Sequence, residues 1–72
     1  KMIRLYPNPN NGTFTLEIES SEVFETIKII DPIGKEVTRL LPKQGTTVVD
    51  IEVSPGIYFL VTDKTTQQFV IE

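Results

Sequence analysis

Gly12-Thr13-Phe14-Thr15-Leu16-Glu17-Ile18-Glu19 alternates polar and apolar residues without a break. Phe14, Leu16 and Ile18 fall on one face and Thr13, Thr15, Glu17 and Glu19 on the other, the pattern of a half-buried antiparallel strand. The same period of two turns Ile27 and Ile29 inward within residues 26–31, with Lys28 outward. It turns Val37 inward between Glu36 and Thr38, and sets Val49, Ile51 and Val53 against Asp50 and Glu52. Ile57-Tyr58-Phe59-Leu60-Val61 is apolar on both faces, which predicts a central strand covered from two sides. Residues 2–6 and 67–71 supply two more short runs, making about seven strands. No segment sustains an apolar i, i+3, i+4 pattern. Valine, isoleucine and threonine make up 25 of the 72 residues, and their branched side chains suit a pleated surface better than a helix. The chain is all-β.

The spaces between these strands carry turn chemistry. Pro7-Asn8-Pro9-Asn10-Asn11-Gly12 contains two prolines without amide donors and so cannot be a central strand. Asp31-Pro32-Ile33-Gly34 has Asp, Pro and Gly at the positions a type I turn prefers, and should join its flanking strands as a hairpin. Residues 41–46 read as a longer loop, Ser54-Pro55-Gly56 as a tight reversal, and residues 63–67 as the last hairpin connection. Seven short strands with regular turns predict a single antiparallel β-sandwich, immunoglobulin-like or fibronectin-like, over residues 1–72. Its core is expected to hold Leu5, Phe14, Leu16, Ile18, Ile27, Ile29, Val37, Val49, Ile51, Tyr58 and Leu60.

Composition excludes several function classes. The chain has no cysteine and no histidine, hence no disulfide framework, thiolate metal site or Ser-His-Asp chemistry. A net charge of −3 gives no basic footprint for nucleic acid. The longest apolar run, Ile57 to Val61, is far shorter than the roughly 20 residues of a membrane-spanning helix. Ten carboxylates could suggest an acid–base pair, but Glu17, Glu19, Asp50 and Glu52 are the solvated faces of alternating strands. Asp31, Asp50 and Asp63 are too scattered for a calcium loop. Asn11-Gly12-Thr13 fits a glycosylation sequon, yet a turn followed by a strand explains the same residues. Tyr58, at the start of the most apolar strand, is placed to pack its ring and bond its hydroxyl to nearby backbone, as corner tyrosines do in β-sandwiches. No catalytic residue, cofactor or metal is expected.

Three elements, in this order, resemble one family: Tyr6-Pro7-Asn8-Pro9-Asn10-Asn11-Gly12 followed by Phe14, then Asp31-Pro32-Ile33-Gly34-Lys35-Glu36-Val37, then Gly56-Ile57-Tyr58-Phe59-Leu60. Together they look like the type IX secretion (Por secretion system) C-terminal sorting domain, type A, found at the end of larger secreted proteins of Bacteroidetes-type bacteria. The resemblance implies a non-catalytic, immunoglobulin-like sorting signal that directs an attached N-terminal cargo across the outer membrane. It implies transit through the periplasm, recognition by the type IX outer-membrane translocon, removal by a sortase-like cysteine protease, and delivery of cargo to the cell surface or medium. Carried onto this chain, the recognition motif is Pro7, Asn8, Pro9, Gly12, Asp31, Gly34, Gly56 and Tyr58. Where members often carry lysines around the final strand, this chain has Gln67, Gln68 and Glu72, and Val53 stands where a leucine is common. With Lys1 first and no signal peptide, the chain reads as an excised domain. The rival expectation is a spacer or carbohydrate-binding module, whose sugar face would need exposed aromatics such as Phe24.

Overall fold

The computed structural model describes residues 3–19 and 21–72. Seven antiparallel strands run β1 (Ile3–Tyr6), β2 (Thr13–Ile18), β3 (Ile27–Ile30), β4 (Glu36–Leu40), β5 (Gly45–Asp50), β6 (Gly56–Thr62) and β7 (Thr66–Ile71). They form a three-stranded sheet of order β1-β2-β5 and a four-stranded sheet of order β4-β3-β6-β7. The chain changes sheet after β2, β4 and β5, so its hairpins are β1–β2, β3–β4 and β6–β7. Met2, expected to open β1, lies outside the described residues.

The alternation in β2 produces the face it predicts: Phe14, Leu16 and Ile18 are buried. Ile27, Ile29, Tyr58, Leu60, Phe69 and Ile71 answer from the other sheet. The sheets meet through the Phe14 and Phe69 rings, whose centroids are 5.3 Å apart, and Tyr58 flanks Phe69 from the neighbouring strand of the same sheet at 6.1 Å. Such tilted pairs add edge-to-face attraction to the area they bury. Ile3, Phe24, Phe69 and Ile71 also belong to this core, beyond the residues expected from alternation.

Several expectations need correction. Val37 and Ile51 are only partly buried against the core. The β3–β4 register slips by one between Ile29 and Ile30, so Val37 is the extra residue of a bulge and turns only partly inward. The strand expected at Val49–Val53 begins four residues earlier, at Gly45, and ends at Asp50. Its ladder on β2 runs from Ile18↔Gly45 to Thr13↔Asp50, and beyond that β2 offers no further partner. Residues 41–46 are therefore loop only as far as Gln44. The reversal at Ser54-Pro55-Gly56 crosses between sheets, because β5 ends and β6 begins at one pole but in different sheets. β6 is central, yet its outer face is only partly covered: Ile57 is 46% exposed and Phe59 and Val61 are half-buried, while Tyr58 on the inner face is 4% exposed. Phe24 is 4% exposed, which removes the aromatic a sugar-binding face would have used.

Candidate recognition surface

The strand registers bring the three motif turns to one pole of the sandwich. Tyr6↔Thr15 and Thr13↔Asp50 place the end of β1, the start of β2 and the end of β5 there. Ile30↔Phe59 and Gly56↔Ile71 add the end of β3, the start of β6 and the end of β7. Ile3, paired with Ile18, stands at the opposite pole. All eight motif positions are thus near one end, although they span Pro7 to Tyr58 in sequence.

Most of these residues have a structural task that can be named. Residues 7–12 carry the chain from β1 across to the other sheet, where Asn10 forms a parallel bridge with Ile71. The peptide bonds before Pro7 and Pro9 are cis. The Asn10 amide donates to the Val70 carbonyl (3.0 Å) and its carbonyl accepts from the Glu72 amide (2.7 Å). Its side chain donates to the Pro7 carbonyl (3.0 Å) and accepts from the Gly12 amide (2.8 Å). Asn8 accepts the Val70 amide on its Oδ1 at 2.9 Å. Pro7 and Pro9 are exposed. Gly12 has φ 104°, and a Cβ there would sit 2.5 Å from the Ile51 carbonyl oxygen, so the close approach to the β5–β6 connection requires glycine.

The second turn is built as the sequence predicts. The Gly34 amide donates to the Asp31 carbonyl at 3.0 Å. Asp31 Oδ1 accepts from the amides of Ile33 (3.1 Å) and Lys35 (2.8 Å), an aspartate holding its own turn. Gly34 takes the left-handed φ of 91°. Beside it, the buried Tyr58 hydroxyl donates to the Ser54 carbonyl at 2.5 Å, four residues upstream, which is the corner expected of it. A Cβ on Gly56 would make ordinary van der Waals contact with the Tyr58 ring (3.8 Å) and Pro32 (3.9 Å).

Between the second turn and the β5–β6 connection lies a concavity of about 350 Å³, lined by Asp31, Lys35, Glu36, Val37, Val53, Ser54 and Tyr58. It gathers Asp31 and Tyr58 of the motif, whereas residues 7–12 and Gly34 do not line it. On its rim the Arg39 guanidinium donates to both Glu36 oxygens (3.0 and 3.1 Å) and holds that carboxyl below its ordinary range. Among the described residues no three metal-binding side chains gather, and every buried side-chain polar atom has a partner. The arrangement offers shape and charge to a partner. Asn10, Val70 and Glu72 were missed by sequence reasoning: an asparagine run signals a turn but not which strand the turn grips.

Residues 4–72 match the family described as secretion system C-terminal sorting domain. No curated protein matches the chain.

Proposed function

The chain belongs to the family of secretion system C-terminal sorting domains, and from that premise we propose that it directs an N-terminal cargo through the periplasm and across the outer membrane by the type IX route. The family match over almost the whole chain carries this reading. Geometry supports it: β1 enters at the pole opposite the motif turns, so a cargo joined before Ile3 leaves the motif pole clear for the translocon. Pro7, Asn8, Pro9, Gly12, Asp31, Gly34, Gly56 and Tyr58 then act in recognition partly by shaping that pole. The domain is ligand and substrate of the machinery, a sortase-like cysteine protease removing it after transit, and catalyses nothing itself.

Fusing residues 1–72 behind a periplasmic reporter in a type IX host tests this. The fusion should reach the cell surface or medium, and the reporter alone should stay periplasmic. Retention of the fusion, or equal export of the bare reporter, removes the basis for the proposal.

A further inference from the structure

Residues 7–12 contain one chemically labile pair. An asparagine closes a ring on itself when the next backbone nitrogen attacks its side-chain carbonyl carbon, an intramolecular reaction governed by approach and orientation. A following glycine, lacking a Cβ, leaves that approach open. Of the three asparagines, Asn8 precedes Pro9, whose nitrogen has no hydrogen to give up. Asn10 is buried, and both ends of its side-chain amide are hydrogen-bonded. Asn11 precedes Gly12, and it is exposed.

The fold restrains both reacting groups. The buried Gly12 amide donates to Asn10 Oδ1 at 2.8 Å, and Asn11 Oδ1 accepts the Thr13 amide at 3.2 Å. Ring closure consumes the Gly12 N–H, so in the folded chain it would strand the buried Asn10 acceptor, which is strongly unfavourable. We propose that Asn11 is a site of spontaneous backbone modification, held off in the folded domain by the Asn10 side chain and set free when residues 7–12 open. In that step the Gly12 nitrogen gives its proton to water and bonds to Asn11 Cγ, while the Cγ–Nδ2 bond breaks and ammonia leaves with a proton from water. Water then opens the imide, giving aspartate where the new bond is cut and isoaspartate where the original peptide bond is cut. Aspartate keeps an oxygen for the Thr13 amide. Isoaspartate instead inserts the former Cβ into the main chain just before Gly12, which has no room even for a Cβ against the Ile51 carbonyl and whose own carbonyl accepts the Ile51 amide at 2.9 Å. A chain kept unfolded therefore ages into one that cannot rebuild the motif pole. This chemistry is independent of the sorting function proposed above.

Peptide mapping by mass spectrometry tests this, following the exchange of NH2 for OH at each asparagine of the full chain, in native buffer and in guanidinium chloride at one pH. Conversion should concentrate at Asn11 and run at least about tenfold more slowly in the folded chain. Asn10→Ala should age several-fold faster than the parent brought to the same folding stability with denaturant, because local opening then suffices. The isoaspartate form, isolated after ageing, should fail to refold or melt at least about 5 °C below the parent, and the aspartate form should melt within about 3 °C of it. Equal rates in the folded and unfolded chain, first conversion at Asn8 or Asn10, or an isoaspartate form that melts like the parent would overturn the proposal. So would a folded Asn10→Ala chain that ages no faster at matched stability. If Asn10→Ala does not fold, the parent's two rates and the melting of its aged forms decide the question.

Discussion

Asn8 and Asn10 look equivalent in the sequence, two asparagines each following a proline, but the fold gives them unequal work. Asn10 is 6% exposed and its side chain joins the Pro7 carbonyl to the Gly12 amide, whereas the Asn8 bond to Val70 is exposed. Removing a buried partner strands the groups left behind, while losing a solvated bond costs only its small net value. Asn10→Ala should therefore cost about 1–3 kcal/mol and Asn8→Ala about 0.5–1.5 kcal/mol in urea denaturation. Gly12→Ala should cost about 1–3 kcal/mol or more, because it meets both an unfavourable φ and the Ile51 carbonyl. Equal melting of the Asn8 and Asn10 variants would overturn this division. The export assay on folded Asn8→Ala then asks whether that side chain is also read by the translocon. Sequence supplied the turn, since proline and glycine carry local information. The grip on Val70, 62 residues away, is tertiary and has no local signature.

At the scale of elements, periodicity served best where a strand stays on its sheet. β2 alternates cleanly because one of its faces is buried in the core while the other is exposed or half-buried. β5 was displaced in the sequence reading because Val49, Ile51 and Val53 continue to alternate after the ladder ends at Asp50. Past that point the Ile51 amide donates to the Gly12 carbonyl and the chain leaves for the other sheet. Phe24 was lost for a related reason: a lone aromatic in a polar connection has no period to betray it. It closes the core at the pole opposite the motif turns, and Lys64 lies over its ring at 5.5 Å. Truncation to alanine should cost about 3–5 kcal/mol by thermal or chemical melting, and a variant that melts like the parent would show that the loop carries no core. Asp63 holds the same loop, accepting the Glu25 amide at 3.0 Å and the Thr26 amide at 3.4 Å. Desolvation pushes its carboxyl up, but these and other favourable interactions together outweigh it and set the folded value below the ordinary 3.8. A lowered folded value stabilises fully above the unfolded range and less as pH falls through the folded one. The melting gap between parent and Asp63→Ala should be constant from about pH 7 to 5 and shrink below about pH 4. A gap that widens on acidification would reverse the assigned sign.

Across the whole molecule the sandwich depends on inward faces drawn from both sheets, and this was partly legible. Every strand was anticipated, and nine of the eleven expected core residues are buried. The β3–β4 and β6–β7 hairpins were legible from their turns, but which non-consecutive strands share a sheet was not, because short alternating strands carry no label for distant partners. For the same reason the gathering of all motif turns at one pole emerges only from the registers. The inter-sheet join itself can be measured. Phe14 on β2 and Phe69 on β7 meet at 5.3 Å with their rings inclined by 56°, and both are at most 1% exposed. Replacing either by leucine keeps an apolar group in place and removes the ring–ring attraction, so each single change should cost less than truncation to alanine. In the double-mutant cycle the two costs should fail to add by about 0.5–1.5 kcal/mol, the worth of an aromatic pair beyond its area. Tyr58, 6.1 Å from Phe69, is left unchanged in every corner of the cycle and so drops out of the difference. Strict additivity would mean that burial alone joins the sheets. Coupling of the predicted size would show that the tilted pair helps set how one sheet lies on the other, and with it the spacing of the motif pole.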